Sequence, residues 1–259
     1  MLTGETLTRA GIDVVTLKPA ECDVSRGRDL PVDTVAVDYE GHEHVPDERT
    51  LSRLAEAKRV LVTTPVRADG FDPLGDDSLL SRLPPEVRRV VVAGHPAYLS
   101  AAERERAVAP RFGRALEAAP DAWVGTEGVE RLAMAAGGVQ YDLLSRTTES
   151  ELRSLRAAGF DGELAVYAPT VLVDDEDAIL DAVGAYAARR GPVARALPEG
   201  APTDATAEGR AREVLSAAVR DYALVGSVET VRSQVEALRE AGADHVVAYP
   251  ARGVDDFLG

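Results

Sequence analysis

The chain has 259 residues, enough for one α/β barrel, and a formal net charge of −15. Its 44 acidic residues against 29 basic ones argue against nucleic acid and anionic lipid surfaces as partners, because like charges repel. Aromatic residues make up only 5% of the chain, so the core must consist mainly of Val, Leu, Ile and Ala.

The compartment is predicted from cysteine use and from the absence of targeting signals. Cys22 is the only cysteine and cannot form an internal disulfide, which is typical of a reducing cytosol. No run of 18 apolar residues predicts a membrane span, and the N-terminus lacks the pattern of a signal peptide. We therefore expect a cytoplasmic protein. Lys18 and Lys58 are the only lysines, and this acidic, lysine-poor composition resembles that of salt-loving (haloarchaeal) proteins.

Short apolar runs, each ending in Pro, Gly or polar residues, recur along the chain. Most are unbroken rather than alternating, which is typical of strands buried on both faces of a parallel sheet. The predicted strands are 12–17, 34–37, 60–62, 90–93, 122–124, 141–144, 164–167 and 245–249. Segments with helical periodicity lie between most of them, at 48–58, 101–118, 129–136, 149–158, 176–190 and 228–240.

The alternation of strands and helices predicts stacked βα units. Three segments share the pattern Ala-Gly-x-Asp, at 10–13, 158–161 and 241–244, each with the Gly where a helix should end. Eight strands favour a closed (β/α)8 TIM-type barrel, with a doubly wound open sheet as the alternative. We expect one domain over residues 1–259, with an irregular N-terminal portion around Pro19–Pro31 and a mobile loop at 191–209.

The active site of a barrel lies at the carboxyl ends of its strands. The residues there form a polar rim with several cations, namely Lys18, Asp38, Tyr39, Glu40, Thr63, Arg67, His95, Ser145, Arg146, Thr170 and Arg252. A basic rim suits an anionic small molecule that carries phosphate or carboxylate. The alternative is that these arginines pair with nearby acids and stabilise the fold.

The histidines give two further hypotheses. His42 and His44 lie two residues apart, which suggests metal ligands, but without further spaced ligands a solvated loop and no metal is the better interpretation. His95 follows a strand and is a candidate acid or base near neutral pH, the alternative being a hydrogen-bonded residue of the barrel mouth.

The Gly-rich segment Gly125-Thr126-Glu127-Gly128 leads into a predicted helix. Backbone amides at such a helix start can hold a phosphate, although the pattern alone is also that of a tight turn.

Two segments resemble the luciferase-like monooxygenases. They are 122–128, continuing to 132–136, and 223–231, followed by 238–247, where Ser227 and Gly242 are expected to cap the last long helix. The resemblance covers roughly residues 121–259 and implies a barrel that binds flavin (FMN) or a deazaflavin coenzyme. Archaeal members of this superfamily resemble methylenetetrahydromethanopterin reductases, which transfer a hydride. Residues 1–110 show no match, and 140–143 depart from the Asp-Gly usual in the family.

This resemblance predicts a deazaflavin- or flavin-dependent oxidoreductase. The alternatives are a non-catalytic binding or regulatory barrel and another barrel enzyme that uses Lys18 as base or Schiff-base nucleophile. The predicted catalytic residues are His95 and Glu127, and the predicted coenzyme-binding residues are Lys18, Gly125, Thr126, Gly128, Thr170 and Arg252. Arg252 is the expected phosphate anchor unless it pairs with Asp255 or Asp256. Partners other than small molecules are not expected, apart from a second copy of the chain.

Overall fold

The computed structural model describes residues 5–126 and 129–258. The strands are β1 Val14–Leu17, β2 Thr34–Val37, β3 Arg59–Pro65, β4 Arg88–Val92, β5 Trp123–Gly125, β6 Gln140–Leu143, β7 Leu164–Val171, β8 Leu224–Val225 and β9 His245–Pro250. The helices are α1 Glu5–Ala10, α2 Glu48–Ala55, α3 Ala101–Arg104, α4 Val108–Ala118, α5 Glu130–Ala136, α6 Thr148–Ala157, α7 Glu176–Ala188, α8 Gly191–Ala196, α9 Gly209–Tyr222, α10 Val228–Ala241 and α11 Asp255–Leu258.

The strands form one sheet in the order β6-β5-β4-β3-β2-β1-β9-β7-β8, and β6 also pairs with β7. Eight strands therefore close into a parallel α/β barrel of the (β/α)8 TIM type, as predicted, and the open doubly wound sheet is excluded. The sequence did not predict β8. Its two residues extend the sheet beside the end of β7, where Thr170 pairs with Leu224 and Val171 with Val225.

The chain divides into two compact units. The first unit comprises the described residues of 14–142 together with 161–165, and it contains β1 to β6. The second unit comprises 5–13, 143–160 and 166–258, and it contains most of β7, β8, β9 and the long helices α7, α9 and α10. The expectation of one domain over 1–259 stays a prediction.

In the first unit, one side of the sheet packs against helices. Val91 of β4 and Val124 of β5 join Phe112 and Ala115 of α4 in an apolar cluster that is almost inaccessible to solvent. Burying a side chain of this size contributes about 1.5–3 kcal/mol, so this layer fixes which strand positions face the helices.

In the second unit, α7 and α9 pack against each other beside the ends of β7 and β8. Their shared cluster is built on Leu180, Val183, Leu215 and Val219, all at most 1% exposed. Aliphatic residues fill this core, as the low aromatic content predicts.

Helix boundaries differ from expectation in two places. The predicted helix 101–118 is split into α3 and α4, because Pro110 lies in the first turn of α4 and its ring would clash with the carbonyl of Arg106 in a continuous helix. The predicted loop 191–209 begins with α8. Its mobility stays a prediction.

Other local expectations are confirmed. The stretch between Pro19 and Pro31 has a 3-10 turn, Val24–Asp29, instead of a full crossover helix. Ser227 caps α10 by accepting a hydrogen bond from the Thr230 amide, and Gly242 ends the same helix with a φ of 120°. In the described residues, no helix is long and apolar enough to cross a membrane.

Candidate functional site

The side of the first unit that faces away from the helices carries the polar strand ends. Leu17 and Val35 lie beside Gly27 in the 3-10 turn, so they mark the outer side of β1 and β2. Side chains alternate along a strand, which places Thr16 and Ala36 on the opposite, inner side. The same alternation directs Lys18, Asp38 and Thr63 inward at the ends of β1, β2 and β3.

Contacts between these side chains give the first three strand ends their chemistry. The Thr63 hydroxyl lies 3.2 Å from Asp38 Oδ1 and donates to it. Lys18 Nζ lies 3.4 Å from Glu21 Oε1, and the Lys18 side chain is 21% exposed. Glu40 Oε2 accepts a hydrogen bond of 2.9 Å from the Ala20 amide, which joins the loops after β1 and β2. The result is an ammonium group and several carboxylates at one edge of the sheet.

Thr16 precedes Lys18 by two residues, so it is the next side chain on the inner side of β1. Its side chain is inaccessible to solvent, and its hydroxyl makes no hydrogen bond within the described part of the chain. A buried hydroxyl without a partner costs about 1–3 kcal/mol, so it is rarely left in this state. Thr16 was not among the site residues predicted from the sequence, although a polar residue inside a buried apolar strand was the available signal.

Tyr39 is a half-buried phenol after β2. Burial, together with the nearby carboxylates of Glu103, Glu43 and Asp69, raises its pKa to about 12. The phenol is therefore neutral at physiological pH and serves as a hydrogen-bonding group rather than a base. Its ring meets the Phe71 ring edge-on, with the centroids 5.7 Å apart.

Arg67, which was expected to face a ligand, instead bonds to backbone. Its guanidinium donates to the carbonyls of Ala93, Gly94 and Arg104 at 2.8–2.9 Å. This cation therefore ties the loop after β3 to the segment after β4. A second link reinforces it, because the buried Glu103 accepts a hydrogen bond of 2.7 Å from the Asp69 amide.

His95 follows β4 and is exposed. Its Nδ1 accepts a hydrogen bond of 3.2 Å from the Ala97 amide, and its ring lies 5.9 Å from that of Tyr98. An accepting Nδ1 requires the neutral ring to carry its proton on Nε2. The assignment of His95 as acid or base stays a prediction.

The Gly-rich segment is described only in part. Gly125 lies tightly in the sheet, because a Cβ there would meet Val92 Cγ1 at 2.5 Å. The Thr126 hydroxyl donates to Asp142 Oδ1 at 2.8 Å. Glu127 and Gly128, predicted as catalytic and phosphate-binding, lie outside the described residues.

In the second unit, the predicted anchors have protein partners. The Thr170 side chain is 1% exposed, and its hydroxyl donates to the Ala168 carbonyl at 3.1 Å. Arg252 Nη1 lies 3.4 Å from Asp256 Oδ2, which is the alternative contact expected from the sequence. The coenzyme-binding role of both residues stays a prediction.

His42 and His44 lie in a 3-10 turn, where His44 Nε2 is 3.8 Å from a Glu43 carboxylate oxygen. Across residues 5–126 and 129–258, no three His, Cys, Asp or Glu side chains are grouped so as to hold a metal ion.

Comparisons with known proteins connect this geometry to a fold. A family model described as "Family of unknown function (DUF7388)" matches residues 7–257. A solved structure, an F420-dependent secondary alcohol dehydrogenase in complex with an F420-acetone adduct, aligns with a TM-score of 0.60 and 13% sequence identity. The alignment covers 95% of this chain and 96% of that chain, and at this identity the likeness shows the fold alone. No curated protein sequence matches the chain.

Proposed function

We propose that this chain, which belongs to the family of unknown function DUF7388, is an oxidoreductase that uses a deazaflavin or flavin coenzyme. Two arguments support the proposal: the likeness to an F420-dependent barrel and the polar inner edge of β1 to β3. That edge carries the proposal, because barrel enzymes place their chemistry at the carboxyl ends of the strands.

The hydrogen-bonding groups at this edge fit the polar side of a flavin or deazaflavin ring, which presents carbonyl and imide groups. Lys18 is a donor, Asp38 is an acceptor, and the buried Thr16 hydroxyl makes no bond to the described protein groups. A bound group on the inner side of β1 that reaches below Lys18 would give Thr16 its partner. Lys18 is the first candidate to hold the anionic part of the coenzyme, because its ammonium group lies at this inner edge, 3.4 Å from Glu21, whereas Arg67 bonds to backbone carbonyls and Arg252 pairs with Asp256.

The coenzyme supplies the hydride chemistry when bound. The residues of the chain then bind it, exclude water and orient the substrate. In this proposal the neutral His95 ring donates a hydrogen bond from Nε2 to a substrate oxygen and polarises it. Secondary alcohols and ketones are the first substrates to test, because the matched structure is named for them.

A titration with F420 and with FMN, followed by coenzyme fluorescence, tests the proposal. We expect saturable binding of one of them, weakened about tenfold or more by Lys18→Met and by Asp38→Asn. Arg53→Met is the matched control, because it removes an exposed cation from α2, on the helix side of the first unit. His95→Gln should leave affinity unchanged and lower turnover about a hundredfold or more.

A non-catalytic binding barrel is the second candidate. The observation that favours it is the engagement of Arg67 by three carbonyls and of Arg252 by Asp256, which removes two cations expected to hold a phosphate. The same titration separates the two functions. Absence of saturable binding of either coenzyme at about 1 mM would overturn the oxidoreductase proposal and favour the binding barrel.

A further inference from the structure

A cavity of about 770 Å³ opens between α6 and α10 in the second unit. Its lining comes from the segment after β6, from the end of α9 and from one side of α10. This volume lies within the range of small-molecule sites in proteins, which is about 300–1,000 Å³. The residues proposed above for the coenzyme do not line it.

Buried leucines line part of the cavity. Leu144, Leu224 and Leu238 contribute to the wall and are at most 9% exposed. The amide of Gln234, which also lines the cavity, both donates to and accepts from the backbone of Val225 at 3.2–3.3 Å. Gln234 therefore takes the place of a neighbouring strand beside β8, and these two hydrogen bonds hold its amide against the backbone. The wall offers contacts to an apolar body.

Arginines give the cavity a charge opposite to that of the chain. Arg146, Arg153 and Arg220 line it, against two acids, Glu149 and Asp221. Since the protein carries a net charge of −15, an excess of cations in one cavity is unusual.

Two of the three guanidinium groups have no carboxylate partner among the described residues. Arg153 pairs with Glu149 at 2.7 Å, whereas Arg220 donates to the Ser216 carbonyl of its own helix. Arg146 makes no hydrogen bond or ion pair with any described residue, and both Arg146 and Arg220 are exposed. A guanidinium presents five N–H donors in a planar fork, which matches an organic anion.

We propose that this cavity binds a small organic anion with an apolar body, its body against the leucines and its anionic group on Arg146 and Arg220. The positive charge of the arginines favours a ligand with an anionic group, and the buried leucines favour a ligand with an apolar body. The site is independent of the coenzyme proposal, because none of the residues proposed to hold the coenzyme lines this cavity.

A pair of fluorescent probes tests the anionic requirement. Anilinonaphthalene sulfonate has an aromatic body and one anionic group, and phenyl-naphthylamine is its neutral counterpart. We expect the sulfonate to bind about tenfold more tightly than the neutral probe, and decanoate to displace it. Equal affinity for the two probes would overturn the proposal.

Variants locate the site. Arg146→Ser combined with Arg220→Ser should weaken sulfonate binding about tenfold and leave binding of the neutral probe unchanged. Arg210→Ser is the matched control, because Arg210 lies on α9, is exposed and pairs only with the nearby Glu213 among the described residues. Ser233→Trp should fill the cavity and abolish binding of both probes. Unchanged sulfonate affinity in the double variant, with the melting temperature preserved, would overturn the proposal.

Discussion

Asp72 is a buried carboxylate that holds two arginines. It is 1% exposed, accepts from Arg111 Nε at 2.8 Å and lies 3.2 Å from Arg106 Nη1. Asp72→Asn leaves two partly buried cations without this charge, so we expect the free energy of unfolding to fall by about 2–4 kcal/mol in a urea titration. Glu117→Gln, which breaks an exposed pair with Arg114, should change it by less than about 0.5 kcal/mol. Similar losses in both variants would contradict a role for burial.

Arg89 shows the opposite situation, because it is a partly buried cation with no acidic partner in the described part of the chain. Its Nε donates to the Thr64 hydroxyl at 3.1 Å, its Nη2 is buried without a partner in the described protein, and burial lowers its pKa to about 10. Replacing such an ion by an apolar side chain is often stabilising. We expect Arg89→Met to raise the free energy of unfolding by about 1 kcal/mol, measured by chemical denaturation.

The neighbouring Arg88 provides the control for this substitution. It lies on the same strand and is exposed, so Arg88→Met should change stability by less than about 0.5 kcal/mol. A loss of stability in Arg89→Met would show that the guanidinium has a partner that compensates for its burial.

At the scale of elements, the Ala-Gly-x-Asp repeats of the sequence correspond to one recurring contact in the second unit. Arg156 at the end of α6 donates to the Gly242 carbonyl and to Asp244. Arg239 at the end of α10 donates in the same way to the Gly11 carbonyl and to Asp13. Each arginine therefore joins the end of its helix to the Gly-x-Asp turn of another repeat.

This contact needs the planar fork of arginine. Arg156→Lys keeps the charge but removes the second donor to Gly242, so we expect a loss of about 1–2 kcal/mol in the free energy of unfolding. Arg153→Lys on the same helix is the control, because its exposed pair with Glu149 contributes little. If Arg156→Lys and the unmodified protein are equally stable in a denaturant titration, the contact does not need the planar guanidinium of arginine.

How much could be predicted from the sequence depends on the element. Unbroken apolar runs in the sequence predicted the eight strands that close the barrel, because a strand buried on both faces consists mainly of apolar residues. The two residues of β8 are too few for any periodicity, and they were missed. The predicted strand 164–167 was too short, because β7 continues through Pro169 to Val171, where Thr170 and Val171 pair with β8.

The candidate site was less predictable than the fold. The sequence placed Lys18 and Asp38 at the carboxyl ends of two strands. Because β1 and β2 are adjacent and parallel, both residues lie at the same edge of the sheet. The partner of each arginine was not predictable, because Arg67 bonds to carbonyls that any sequence supplies. Only the path of the backbone, which depends on packing, decides whether a cation meets a carbonyl, an acid or a ligand.

At the scale of the whole molecule, the acidic residues have two roles. Members of the acidic run 174–177 hold neighbouring elements. Asp175 caps α7, Asp177 pairs with Arg212 at 2.6 Å, and Asp174 accepts from the Ser227 amide. Arg212 neutralises Asp177, whereas the amides that bond to Asp174 and Asp175 leave the charge of those carboxylates in place. Acids without a cationic partner therefore make up the excess negative charge.

Salt should therefore stabilise this protein by screening those unpaired acids. The Debye length falls from about 10 Å at 0.1 M salt to about 3 Å at 1 M, which removes repulsion between exposed charges. With a net charge of −15, we expect the melting temperature to rise by about 5 °C or more between 0.1 M and 2 M potassium chloride.

A neutralised variant distinguishes screening from a general effect of salt on burial. Glu86→Gln, Asp121→Asn, Glu199→Gln and Glu240→Gln remove four exposed charges that have no partner among the described residues, which takes the net charge from −15 to −11. This variant should melt higher than the unmodified protein in low salt, and its melting temperature should depend less on salt, because less repulsion remains to be screened. If both proteins gain equally from salt, the gain reflects burial rather than charge, and a melting temperature that stays flat or falls as salt is added would contradict the prediction outright.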